Sequence, residues 1–369
     1  MTIQKIDWSV KPPLIIAAAT IGSGMFALPY VVAQAGWVLT LAYFVVLGVV
    51  VVAAHAFYLK TLASEGEKRR LLGLGQKYFG AAGFWFGFIG IVVGLLLSFV
   101  IFLLLGTQFI TLLFPALPHT AALLIFWLFL ALPALLSNRR AAALEIVSVL
   151  SACAVILVVF LTSHLSVAFA GVPAVNLPNF FLPFGIVLFT LAGWTGVEPF
   201  YEMGGARKTA WLSLALGTVF AAALYWLFSI GVLGSTAHIA PDVLSLLGSW
   251  PVWKRDLVAL LGLVAVTTVA MPISHEIRNG LENDLHWDRG ASRLVLIGLP
   301  LVAVLLGFNN FLLIVGLAGG LFVSMEYLLI LAVARRALPL QTPQKVALNL
   351  ISLVFLAVAV YEIATIVIR

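Results

Sequence analysis

The chain of 369 residues reads as long apolar runs separated by short polar segments. Runs near the roughly 20 residues needed to cross a bilayer fall at about 12–37, 39–60, 81–113, 119–137 and 141–169. Six more fall at about 180–206, 209–236, 256–280, 291–307, 309–334 and 346–368. The pattern predicts eleven membrane-spanning helices and an all-α polytopic membrane protein, with 1–369 as one transmembrane domain. The polar stretches between runs are too short for a separate soluble domain.

Span 1 departs from an uninterrupted helix. Its stretch TIGSGMFALPYVVAQAGW places Gly22, Gly24 and Pro29 near the middle of the apolar run. Span 6 repeats the device in GWTGVEPFY, with Gly193, Gly196 and Pro199, and Pro29 and Pro199 are 170 positions apart. The same offset carries each of spans 1–5 onto spans 6–10. The chain therefore divides into a first repeat at about 12–169, a second at about 180–334 and an extra helix at about 346–368. Five is odd, so the second copy enters from the opposite face and the repeats are inverted. Inverted repeats with discontinuous helices are characteristic of secondary transporters that hold substrate near the midplane.

A broken helix frees backbone groups that lipid cannot satisfy, so the break must be buried or line a cavity. The half-helix from Met25 would offer N–H groups and a positive dipole end to a carboxylate. Carbonyls near Gly193 and Gly196 would suit an ammonium group. The competing reading is that these glycines only let helices pack closely.

Composition and charge agree with the pattern. The chain is 63% hydrophobic and 9% charged, against about 25% charged in soluble domains. With the N-terminus in the cytoplasm, 17 of the 20 Lys and Arg residues fall on the inside. They are Lys5, Lys11, Lys60, Lys68, Arg69, Arg70, Lys77, Arg139, Arg140, Arg207, Lys208, Arg278, Arg289, Arg293, Arg335, Arg336 and Lys345. Lys254, Arg255 and Arg369 fall outside. This bias orients the chain in a cell membrane with an external C-terminus, and it explains the net charge of +6 without a nucleic-acid partner. Cys153 is alone, so no disulfide is expected. No N-x-S/T sequon occurs, which favours a prokaryotic source. Ala33-Gln34-Ala35 imitates a signal cleavage site, but the apolar run before it is too long for a signal core.

Other function classes fit less well. The major facilitator class has two six-span halves and a different loop after span 2. A channel needs pore-lining rings or filter loops, which do not repeat here. His55, His164 and His275 lie on different spans without an H-E-x-x-H pattern, so no enzyme is expected. A transporter-derived sensor usually carries an added soluble domain.

The segment GSGMFALPYVVAQAGW resembles the first-span motif of the amino acid/auxin permease and aromatic amino acid permease families, within the amino acid–polyamine–organocation superfamily. GWTGVEPFYEMGGARK resembles the sixth span of that superfamily, and LLGLGQKYFG its short segment between spans 2 and 3. The resemblance implies a leucine-transporter-like fold of five plus five helices and ion- or proton-driven import of amino acids by a permease. It implies substrate contacts at Gly22, Ser23, Gly24, Met25 and Phe26 in span 1, and at Phe189, Gly193 and Trp194 in span 6. Ser98 and Phe102 are the candidates in span 3. Phe26, Phe102, Phe189 and Trp194 would line an aromatic pocket with no fixed charge beyond Glu198, favouring neutral bulky side chains; the alternative is that they face lipid.

Glu198 is the candidate for proton coupling, because an acid at mid-bilayer costs about 2.5–3.5 kcal/mol even on the lenient insertion scale. A structural bond to freed amides and direct ammonium binding are its other readings. Glu145, Glu326, His55 and His275 lie toward the cytoplasmic halves of spans 5, 10, 2 and 8, placed for an inner gate or proton exit. Sodium is the alternative coupling ion, held by Thr267 and Thr268 with the carbonyls of Ile21 and Gly22. No cofactor is expected beyond the coupling ion, and nothing sets the oligomeric state.

Overall fold

The computed structural model describes residues 11–65, 70–135, 138–164, 168–202, 210–236 and 239–368. Side chains are not described at 11–12, 132–148, 244, 268, 271–272, 284 and 366–368. Lys5, Lys68, Arg69, Arg207, Lys208 and Arg369 therefore lie outside the described residues, as do the side chains of Lys11, Arg139, Arg140, Glu145 and Thr268.

The described residues are helical, with no strand among them. Helices occupy every expected span. Span 1 is Lys11–Thr20 followed, after a bend of 53°, by Ser23–Ala35. Span 2 is Trp37–Glu65, span 3 is Leu71–Leu113, span 4 is His119–Leu135 and span 5 is Asn138–Leu161. Span 6 is Pro183–Leu191 and Val197–Glu202, joined through a short 3-10 turn at Trp194–Gly196. Spans 7 to 9 are Ala210–Leu233, Val252–Asn279 and Arg289–Leu305. Span 10 is Phe311–Ala337 and span 11 is Thr342–Ile368. Among the described residues five helices are long and apolar enough to cross a membrane, and the bent pair of span 1 makes six.

Local chemistry sets the ends. Asp288 caps span 9 by accepting from the N–H groups of Gly290 at 2.7 Å and Ala291 at 3.3 Å. Asn310 caps span 10 through the Leu313 N–H at 3.0 Å. All three bonds satisfy amides that the first helical turn leaves open. The segment expected between spans 2 and 3 is the start of the helix from Leu71, set off by Gly80 at φ 62° and ψ −144°, backbone that a Cβ would strain. Gly36 turns span 1 into span 2 at φ 101° while the Ala174 carbonyl lies close by.

Two boundaries differ from the expectation. Span 5 ends at Leu161, not near 169, because Ser163 bonds back to the Phe160 carbonyl and the His164 N–H leaves for the Gly234 carbonyl at 2.8 Å. A short helix, Val243–Gly248, also precedes span 8. Asp242 caps it, and the Val243 N–H donates to Gln108 of span 3 at 2.9 Å, so it lids that end of the bundle.

Spans 1, 2, 6 and 7 pack together, span 8 lies against spans 3 and 5, and span 10 contacts spans 2, 3, 6 and 11. One end of the bundle gathers Glu65, Arg70, Lys77, Glu276, Arg335 and Arg336. Here Arg70 pairs with Glu276 at 3.1 Å, and Lys77 pairs with Glu65.

Candidate functional site

The two breaks meet. Span 1 loses its helix at Ile21 and Gly22 and resumes as a 3-10 turn over Ser23–Ala27. Gly22 is extended, at φ −151° and ψ −165°, and the glycine at Gly193 sits at φ −143°. Neither needs the left-handed region, so dihedral freedom does not explain these glycines. Close approach explains most of them. A Cβ at Gly24 would overlap the Thr190 methyl and sit 3.0 Å from Phe189. One at Gly193 would overlap the Thr20 hydroxyl, and one at Gly196 would lie 2.6 Å from the Ala19 Cβ. Gly22 differs, having nothing nearer than 4.0 Å. The packing reading therefore holds at three glycines, in the same segments that lose their helix.

Tyrosines take up the freed backbone groups. Tyr225 of span 7 accepts from the Gly22 N–H at 2.8 Å and donates to the Thr20 carbonyl at 2.6 Å. Tyr327 of span 10 accepts from the Gly193 N–H at 3.4 Å and bonds His55 of span 2 at 2.8 Å. His55 and Tyr225 are 170 positions apart, the offset of the two proline motifs. Sequence reasoning missed both tyrosines, and the spacing from His55 bears on Tyr225 alone without naming its partner.

A cavity of about 10 Å³ adjoins the first break, lined by Ile21, Gly22, Ser23, Met25 and Phe26 together with span 5 and span 8 side chains. That volume is about what one water occupies. The Ser23 hydroxyl, 5% exposed, has no hydrogen-bond partner among the described residues. On span 8 the cavity touches Ala265, Val266 and Val269. Thr267 is not among its lining residues, and its hydroxyl donates to the Leu263 carbonyl at 2.7 Å. Thr268 lies outside the described side chains.

The four aromatic candidates divide into different neighbourhoods. Phe26 packs edge-on against Phe109 at 5.2 Å and Phe228 at 5.4 Å. Phe102 is buried and tilts against Phe99 at 5.9 Å. Phe189 lies beside Gly24 and also abuts Gly319 of span 10. Trp194 turns to span 10, where its indole N–H donates to Glu326 at 2.6 Å, and its ring meets Tyr58 at 6.4 Å. Ser98 bonds the Gly94 carbonyl at 3.3 Å within its own helix.

The acids sit at different depths. Glu198 begins the second half of span 6 and accepts from the Tyr58 hydroxyl and, at 3.3 Å, from the Leu71 N–H. It thereby ties span 6 to span 2 and to the helix that starts at Leu71. Glu326 is 3% exposed, beside Trp194. Glu362 of span 11, absent from the sequence reading, is buried against Gly185, Gly316 and Gly320. Among the described residues no group of three His, Cys, Asp or Glu side chains is placed to hold a metal.

No family model matches the chain, and no curated protein matches it. Solved structures do. The chain is similar to MhsT, crystallised with L-phenylalanine, with a TM-score of 0.64 and 13% identity over 98% of this chain and 100% of that one. It is also similar to the Eremococcus coleocola manganese transporter in complex with an aromatic bis-isothiourea compound, with a TM-score of 0.57 and 14% identity over 99% and 96% of the two chains. The likeness establishes the leucine-transporter-like fold.

Proposed function

We propose that the protein is a secondary active transporter that carries neutral, bulky apolar amino acids by alternating access, with protons as the coupling ion. The observation that carries this reading is the meeting of two unwound segments, Ile21–Gly22 and Ala192–Gly193, inside the bundle. Such a pair offers N–H groups at Ser23 to Met25 to a carboxylate and carbonyls of span 6 to an ammonium group. The apolar surroundings of Met25, Phe26 and Phe189 suit a side chain without charge. The leucine-transporter-like fold and the phenylalanine bound in MhsT support the same class.

The cavity of about 10 Å³ beside the first break is too small for an amino acid, so substrate binding there requires the helices around it to part. Glu198, bonded to Tyr58 and the Leu71 amide, acts as the latch of the basic end, and releasing it frees the lower half of span 6. The five-plus-five repeats, joined by span 11, are the frame on which one bundle rocks. Sodium coupling is the second reading. The unpartnered Ser23 hydroxyl beside Ile21 and Gly22 favours it, with Ser23 replacing Thr267 as the side-chain ligand.

Equilibrium binding of labelled leucine, tyrosine and tryptophan to purified protein tests the substrate class. Saturable binding that is lost in Gly24→Val supports it. Binding of manganese but of no amino acid would sink it.

A further inference from the structure

The buried acid beside the span 6 break is not the one at its latch. Glu326 begins the last helix of span 10, directly after a π-helical stretch at Ala318–Val323. Span 3 carries its own π-helical stretch, Ile89–Val93, against the same place. A Cβ at Gly90 would stand 3.8 Å from the Glu326 Cγ, and one at Gly94 would stand 3.7 Å from Oε1. The tighter contacts are with neighbours on span 10, 3.2 Å from the Gly90 Cβ position to the Met325 Cβ and 2.7 Å from that of Gly94 to the Phe322 Cβ, so the two glycines let spans 3 and 10 close around the carboxyl group where both helices carry a π-helical turn. Single π-helical turns recur at functional sites.

Among the described residues, polar and titratable groups face it from several spans. Span 6 contributes the Trp194 indole, which donates to Oε2 at 2.6 Å, with Glu198 lower on the same span. Span 2 contributes His55, bonded to Tyr327, and Tyr58, bonded to Glu198. Span 8 contributes Glu276, whose charge acts on Glu326 and which is itself paired with Arg70. Span 11 contributes Glu362, higher up at Gly320, and span 3 offers only glycine and apolar surface here. Among the described residues Glu326 forms no ion pair.

We propose that Glu326 is a proton-binding site and that the Trp194 indole carries its protonation state to the break in span 6. The proton comes from water and forms an O–H bond on the carboxylate, cancelling a buried negative charge. A carboxylate accepts a hydrogen bond about twice as strongly as a neutral carboxyl. The deprotonated site therefore holds Trp194, and with it the turn Trp194–Gly196, more firmly than the protonated site does. This deepens the transport reading and rests on it only for the purpose of the switch; the site itself requires no substrate.

The test is infrared difference spectroscopy of the purified full-length protein in lipid nanodiscs, titrated with pH, alongside tryptophan fluorescence. Among the carboxylic C=O bands that grow on acidification, one belonging to a buried, indole-bonded carboxyl should be common to the wild type and Glu198→Gln. It should be missing in Glu326→Gln, and an accompanying tryptophan signal should vanish in Trp194→Phe. If Glu326→Gln does not fold, Trp194→Phe decides, because losing the indole donor must move the band. Difference spectra that coincide between the wild type and Glu326→Gln, or a Glu326 band unmoved in Trp194→Phe, overturn the proposal. Failure of amino acid binding would sink the transport reading while leaving this outcome to stand or fall by itself.

Discussion

Removing one oxygen atom should loosen the first break. In Tyr225→Phe the ring keeps its packing, but the Gly22 N–H and the Thr20 carbonyl lose the hydroxyl that joins them. Tyr225 is fully buried, so neither group gains water in exchange. An orphaned buried donor costs about 1–3 kcal/mol. At 1.4 kcal/mol per decade, hydrogen exchange at Gly22 should speed by about 5- to 140-fold. Exchange mass spectrometry on peptides across 20–28 reads this directly, with Tyr201→Phe as a control away from the break. Unchanged exchange at Gly22 in Tyr225→Phe would show that the hydroxyl does not hold the unwound backbone, and the account of the break would fail.

The glycines of the breaks should separate by their neighbours. Gly24→Ala and Gly193→Ala should each lose about 1–3 kcal/mol by overpacking, whereas Gly22→Ala, with open space around it, should unfold thermally at nearly the wild-type temperature. Tyr58→Phe should weaken the latch at Glu198 by one hydrogen bond, about 0.5–1.5 kcal/mol. Cysteine labelling at Leu71 and Leu74 should then run about 2- to 12-fold faster. At the opposite end, Lys254 lies 4.3 Å from the Trp250 ring and bonds Ser235 at 2.7 Å. Lys254→Met should cost about 0.5–2 kcal/mol of thermal stability, with a non-additive cycle against Trp250→Leu.

The spans were legible because lipid imposes one requirement on every residue of a crossing helix, and hydropathy reports it. The broken spans were legible for a related reason: GSGMF and GWTG place glycines where an apolar run should have none. What completes the breaks was not legible. Tyr225 and Tyr327 reach them across 203 and 134 positions, and a tyrosine in an apolar run carries no mark of its partner. Glu198 and Glu326 both read as acids in apolar surroundings, yet their environments differ by contacts with Leu71 and Trp194 that only the packed chain makes. The aromatic candidates show the same limit. Phe26 and Trp194 sit at matching breaks, but helix direction sends one toward Phe109 and the other toward span 10. The helix Val243–Gly248 escaped notice because six residues are too few to establish a period.

The central claim is that the two breaks form an amino acid pathway driven by an ion gradient. Uptake of labelled tryptophan, tyrosine and leucine into proteoliposomes, under an inward proton gradient and separately an inward sodium gradient, tests it most directly. The account predicts accumulation under the proton gradient, lost in Gly24→Val and reduced in Glu198→Gln. Accumulation under the sodium gradient alone would move the coupling ion to the cavity beside Ser23, and no accumulation under either gradient would contradict the claim.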